Sequence, residues 1–208
     1  MGALTILEFT PRRRKSHSFF IAVFALLAVV SVPAFAQQHT IEFLPTETAI
    51  HFSLKTSLHT VHGAFRLKSG NVTFDPSTGK LDGLVVVDAA SGESGNSGRD
   101  SKMHKDILES QKYPEITFAP SDLQGDLQMQ SDSQIQVRGT FHLHGSDHQI
   151  LIPVTVHISG SDLTVDSNFD IPYISWGLKN PSTFILRASN TVQLNVHAVG
   201  KWMQIPAN

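Results

Sequence analysis

The stretch QIQVRGTFHLHGSDHQILIPVTVHI, residues 134–158, decides how the rest of the chain is read. Ile135, Val137, Phe141 and Leu143 form an apolar file interleaved with Gln136, Arg138, Thr140, His142 and His144. A period of two sustained over this length describes a strand with one face buried and one face wet. Gly145-Ser146-Asp147 supplies turn chemistry. Beyond it Ile150, Ile152, Val154, Val156 and Ile158 repeat the alternation. Together the two runs predict a long antiparallel hairpin.

Working outward, shorter runs of the same kind recur. Ile50, Phe52 and Leu54 alternate with His51, Ser53 and Lys55, and Val61, Phe65 and Leu67 with His62, Ala64 and Arg66. Val72-Thr73-Phe74 ends at Asp75-Pro76-Ser77-Thr78-Gly79, a strong turn. Residues 84–88, 116–118, 163–169 and 192–198 complete a set of eight or more strands joined by turns that suit antiparallel neighbours. The expected class is therefore all-β, a sandwich or an up-and-down barrel. Gly63 and Gly139 each precede a phenylalanine by two residues on an apolar file. Glycine inside a strand suggests a bend, and its missing side chain suggests room on the inner face.

One passage breaks the habit. GRDSKMHKDILESQKYPEITF, residues 98–118, reads as a short helix between strands. Asn96 or Ser97 can cap it, Met103, Ile107 and Leu108 give it an apolar stripe, and Tyr113-Pro114 ends it. Such an insertion can cover the mouth of a barrel or seal a sheet edge without any catalytic role.

The first 36 residues read as a secretory signal. Arg12, Arg13, Arg14 and Lys15 precede an apolar run from Phe19 to Val32, and Ala34-Phe35-Ala36 follows it. That run falls short of the roughly 20 residues a membrane-spanning helix needs. Cleavage after Ala36 would leave one domain, residues 37–208, soluble in the periplasm or outside the cell and without a stable membrane anchor. With Arg12, Arg13, Arg14, Lys15 and Glu8 gone, twelve basic side chains face seventeen acidic ones, a net charge of −5. A negative chain with no basic run argues against nucleic acid, and also against anionic membrane, as partners. There is no cysteine. The core must hold without disulfides, and thiol chemistry and cysteine-based metal sites are excluded.

Several of these segments, in order, resemble the YceI-like family. They are His59-x-x-x-Gly63-x-Phe65, Phe74-Asp75-Pro76 after a strand, Arg99-Asp100 opening the helix, Lys112-Tyr113-Pro114-Glu115-Ile116-Thr117-Phe118 closing it, and the His144-Gly145 turn. The resemblance runs from about Thr40 to Gly200. It implies an extended lipocalin-like antiparallel barrel with one short helix inserted. It also implies a lumen that holds an apolar chain-like lipid, a polyisoprenoid or an isoprenoid quinone, in an exported protein that is not an enzyme and needs no cofactor. Ser146-Asp147-His148-Gln149 and Ser175-Trp176-Gly177-Leu178-Lys179-Asn180-Pro181 depart from the family's pattern. The barrel follows from the resemblance; the identity of the lipid does not.

On this reading Phe52, Phe65, Val85, Val137, Phe141 and Trp176 are the candidate lumen contacts. Thirteen phenylalanines against two tryptophans and two tyrosines could equally fill a solid core, so a ligand-free structural module stays open. The rival from another class is a metal-dependent protein. His142, His144 and His148 form H-x-H-x3-H, but zinc needs three or four ligands on one point and the third lies beyond a turn. They are expected to be solvated on the outer face. Arg99-Asp100 is expected to be structural, since no nucleophile accompanies it and no hydrolase, phosphate-loop or dinucleotide motif is present.

Overall fold

A computed structural model describes residues 38–204. The signal-like segment and the cleavage position lie outside the described residues. Nine strands form one antiparallel sheet that closes on itself: β1 (His39–Phe43), β2 (Ala49–Lys55), β3 (Thr60–Asp75), β4 (Lys80–Glu93), β5 (Glu115–Gln124), β6 (Ser133–Leu143), β7 (Ser146–Ser159), β8 (Asp162–Ile171) and β9 (Val192–Gln204). The strands from β3 to β9 follow one another round the barrel. β1 and β2 both pair with β3 on one side and β9 on the other. They are consecutive halves of one broken strand, so nine strands fill eight positions. Eight is the number at which a barrel interior is just wide enough for side chains or one slender ligand.

The hairpin of residues 134–158 is β6 and β7, in unbroken register from Ser133↔Val156 to Leu143↔Ser146. Its turn is tighter than the sequence suggests. His144 and Gly145 are the two loop residues, both with positive φ (53° and 78°), while Ser146 and Asp147 already belong to β7. Two consecutive left-handed residues match the right-handed twist of the strands they join, and glycine takes the second without strain. β3 is one strand of sixteen residues where two shorter ones were expected, and β1 had no expectation at all.

The two in-strand glycines do not leave space. A Cβ on Gly63 would strike the Phe52 ring and the Glu93 carbonyl; one on Gly139 would lie 2.6 Å from the Phe118 ring. A neighbouring ring lies over each bare backbone, as aromatic residues do beside glycines in curved sheets. Pro120 sits at a register shift between β5 and β6, where its missing N–H breaks no ladder.

At one end the inner faces meet and close. Ile41, Val72, Phe74, Ile135, Val156, Ile158, Leu163 and Trp202 form a buried cluster there. The other end carries the long connections: residues 56–59, the helical insertion 94–114 and the loop 172–191. Asn96 caps α1 (Ser97–Lys102) by accepting the Arg99 N–H at 3.0 Å. The helix continues as one π-helical turn, Met103–Ile107. It stops at Glu109 (φ 48°), five residues before Pro114, where the Ser110 N–H returns to the His104 carbonyl. That closure is one residue longer than the usual 6→1 helix terminator, in keeping with the wider π-helical turn it ends.

Candidate functional site: an apolar lumen

Between the two ends lies a cavity of about 650 Å³. This is within the roughly 300–1,000 Å³ of pockets that bury small organic ligands. Every strand contributes to its wall, and the surface is almost wholly apolar. The alternation of the strands causes this directly, since successive residues face opposite sides. Ile135, Val137, Phe141 and Leu143 of β6 and Ile152, Val154 and Val156 of β7 all line it.

Five of the six candidate contacts face this cavity: Phe52, Phe65, Val85, Val137 and Phe141. The Phe52 and Phe65 rings lie 5.5 Å apart, and Phe141 lies 6.5 Å from Phe118. Trp176 is placed otherwise. Its indole stacks on His148 at 4.1 Å and nearly parallel, and tilts against Phe141 at 5.6 Å, but it is not part of the lining. The β7–β8 ladder explains this position. It runs from Ser159↔Asp162 only as far as Val154↔Ser167, next to Pro153, which has no N–H to offer. Beyond that point β7 and β8 diverge, and the turn after β8 brings Tyr173, Ile174, Trp176 and Leu178 to the Phe141 cluster. Trp176 closes a seam in the wall.

The helical insertion lies over the open end. Gly98, Arg99, Lys102, Met103, Ile107 and Leu108 all border the cavity, so the apolar stripe legible in the sequence faces inward. Arg99 and Asp100 are structural in one sense: both fix Ser94. The Asp100 carboxylate accepts the Ser94 N–H at 2.9 Å and the Ser94 hydroxyl, while the Arg99 guanidinium donates at 2.7 Å to the Ser94 hydroxyl oxygen and carbonyl. Arg99 also borders the cavity, which the sequence did not indicate. The far end of the insertion is latched to the β6–β7 turn. Glu109 meets His144 at 3.0 Å, and Tyr113 covers Gly145, where a Cβ would lie 2.6 Å from its ring.

Polar groups on the wall are few. Thr56, Ser94, Arg99, Lys102 and Thr183 lie at the rim of the open end, and Thr48, Thr117, Ser167 and Tyr173 lie along the strands or, for Tyr173, where the 172–191 loop leaves β8. Two of the latter are internally satisfied: Ser167 donates to the Pro153 carbonyl and Tyr173 to the Ser189 carbonyl, both at 2.6 Å. Burial pushes the Tyr173 phenol up to about 12, so it is neutral at ordinary pH.

The three histidines of H-x-H-x3-H go to three different partners: His142 to Asp147 at 2.6 Å, His144 to Glu109, and His148 to the Trp176 ring. Among the described residues, no three His, Asp or Glu side chains are grouped to hold a metal ion. His142 is on the outer side as expected, whereas His148 is drawn into the seam.

Known proteins place the chain. A model of the YceI-like domain matches residues 42–200, most of the chain. No curated protein matches. Among solved structures, Burkholderia cenocepacia BcnA is similar at 22% identity and a TM-score of 0.63, over 76% of this chain and 98% of that one. A polyisoprenoid binding domain from Saccharophagus degradans, implicated in plant cell wall breakdown, aligns at 17% identity and 0.58, over 77% and 97%. The Campylobacter jejuni YCEI protein aligns at 20% and 0.53, over 68% and 84%. At these identities the structures speak for the fold, and the domain match speaks for the family. Strand order, inserted helix and domain match agree: the chain belongs to the YceI-like family.

Proposed function

We propose that the protein is an exported carrier that holds an apolar, chain-like lipid, a polyisoprenoid or the tail of an isoprenoid quinone, inside the barrel. The observation that carries this reading is the lumen itself. It is elongated, bordered by residues from Trp202 and Leu163 near the closed end to Leu186 and Pro181 near the open one, and almost free of polar groups. Such a surface offers no directional recognition, so affinity would come from burying hydrocarbon, at about 0.8 kcal/mol per CH2. A branched apolar chain gains that at every unit. The name of the Saccharophagus degradans relative, a polyisoprenoid binding domain, favours the same class.

Phe52, Phe65, Val85, Val137 and Phe141 would touch the chain, with Trp176 acting through Phe141. The few polar wall residues near α1, Ser94, Arg99 and Lys102, favour a head group at that end and the tail towards Leu163. Binding, with no bond made or broken, suits a wall whose serines are tied up, Ser94 by Arg99 and Asp100 and Ser167 by the Pro153 carbonyl. Mass spectrometry of lipids extracted from protein purified from its native host tests the reading. A stoichiometric isoprenoid is expected; a barrel free of lipid under all native preparations would sink it. N-terminal sequencing of the same material, expected to begin at Gln37, tests export.

A further inference from the structure

The rim of the open end differs from the rest of the surface. Phe184 is fully exposed, Ile185 is 78% exposed and Leu58 68%. Phe184 and Ile185 are the central residues of a closed turn: the Thr183 N–H donates to the Leu186 carbonyl at 2.8 Å, and the Leu186 N–H to the Thr183 hydroxyl at 3.1 Å. Turn centres ordinarily carry glycine, proline, asparagine or aspartate. Here hydrogen bonds hold two large apolar side chains out in water. Leu58 joins them, because its loop is tied to theirs by Ser57 N–H to Arg187 carbonyl (2.8 Å), Arg187 N–H to Ser57 hydroxyl (3.2 Å) and a Thr56–Ala188 bridge. Thr183, Leu186 and Thr56 line the cavity, so the tip stands at its mouth.

Cations surround the tip. Lys55 and Arg187 flank it, and Lys102 reaches the Pro181 carbonyl at 3.5 Å beside Arg99. Among the described residues none of these four is in an ion pair. The carboxylate of Asp100 is occupied by Ser94, and beyond Asp170 the chain contains no Asp or Glu. The closed end carries the opposite sign, in Asp75, Asp122, Asp126, Asp132 and Asp162. The open end also carries Glu93, Asp106, Glu109, Asp147 and Asp170, so its basic character is local to the Leu58, Phe184 and Ile185 tip.

We propose that this rim docks on an anionic bilayer. Phe184, Ile185 and Leu58 enter the headgroup layer, and Lys55, Arg99, Lys102 and Arg187 face the lipid phosphates. Exposed apolar groups ringed by unpaired cations fit an interface that is greasy within and negative at its surface. The choice of a bilayer over a protein rests in part on the carrier reading, since a chain-like lipid leaving the mouth would then enter membrane without crossing water.

The test uses the barrel from Gln37, whose sheet and core lie wholly within the described residues, and flotation with phosphatidylcholine vesicles with or without phosphatidylglycerol. Binding is expected only with phosphatidylglycerol, weakening as salt rises. Phe184→Ser with Ile185→Ser should lower partitioning roughly tenfold or more. Lys55→Gln and Arg187→Gln should each lower it about fivefold. None of these four side chains lines the cavity, so circular dichroism and the extracted lumen lipid should be unchanged. Equal partitioning of wild type and tip variant would overturn the proposal. So would a tip-dependent dimer, seen by light scattering, that ignores vesicles. A protein that holds lumen lipid but binds no vesicles overturns the rim proposal and leaves the carrier reading standing. Tip-dependent vesicle binding by a barrel without lipid does the reverse.

Discussion

At the closed end of the barrel Leu163 is 1% exposed and packs among Phe74, Ile158 and Trp202; at the open end Phe184 has no cover at all. Both ends are made from the same inventory of strands and apolar side chains. They differ in what completes them. At the closed end side chains from facing strands pack into one buried cluster, whose upper members, Phe74, Leu163 and Trp202, form the floor of the cavity. Near the open end the helical insertion and the 172–191 loop enclose a volume they do not fill. The closed half should therefore respond to mutation as a core, and the open half as a container.

Four substitution experiments can break or sharpen that contrast. The largest effect is expected at the closed end, where Trp202→Ala or Phe74→Ala should cost about 3–5 kcal/mol by urea denaturation, as buried aromatic truncations do. A loss below about 1 kcal/mol would mean that this end is not packed. Next, Gly83→Ala should cost about 2–5 kcal/mol. Gly83 has φ 124° and an added Cβ would overlap the Asn71 carbonyl, so strain and collision combine. Gly177→Ala, in the loop of the open end, meets nothing within 4 Å despite its φ of 95°. It should carry the strain alone, about 1–2 kcal/mol. Equal losses at the two glycines would remove the distinction.

Phe141→Ala probes the container. Lost contacts with Phe118 and Trp176 should cost about 1–2 kcal/mol in lipid-free protein, less than a core truncation, while the co-purifying lipids change. A core-sized loss with no lipid in either protein would show a filled interior. The smallest effect is expected at the latch. His144→Asn keeps a residue that tolerates positive φ and removes the Glu109 contact, for about 0.5–1 kcal/mol. Faster hydrogen exchange in residues 97–113 would mark loosening of the insertion.

Alkaline titration adds a test by sign. The Tyr173 phenol is raised from 10.0 to about 12 by burial. Below pH 10 folded and unfolded states hold this proton equally, and its contribution to stability is complete. Between 10 and 12 the unfolded chain loses the proton first, so stability falls. Tyr173→Phe should lessen that fall. A phenolate spectrum developing below pH 10 for both tyrosines would contradict the burial of Tyr173.

The strands were legible because alternation survives in one dimension: Ile135 through Leu143 and Ile150 through Ile158 name their own inner face. The lumen was not, because the same alternation describes a wall and a filled core. Only curvature decides whether facing files touch, and curvature comes from long-range closure such as β1 and β2 sharing one position. Trp176 was misplaced because its segment has no periodicity, and its position depends on where the β7–β8 ladder stops. Arg99 looked purely local since its bonds to Ser94 are local. Net charge says nothing about the mouth for a related reason: a sum over the chain carries no address.

The end of the β7–β8 ladder at Pro153 also has a mechanical consequence. Where strands are laddered, the circumference is set by hydrogen bonds of fixed length and is nearly inextensible. Past Val154↔Ser167 the wall is joined by stacked rings, His148 on Trp176, whose dispersion contact can slide at small cost. The barrel is then a tapered sleeve with a stiff base and an elastic cuff. Girth tolerance should vary with depth: bulky groups fit near the cuff, and only the slim chain end fits near the base.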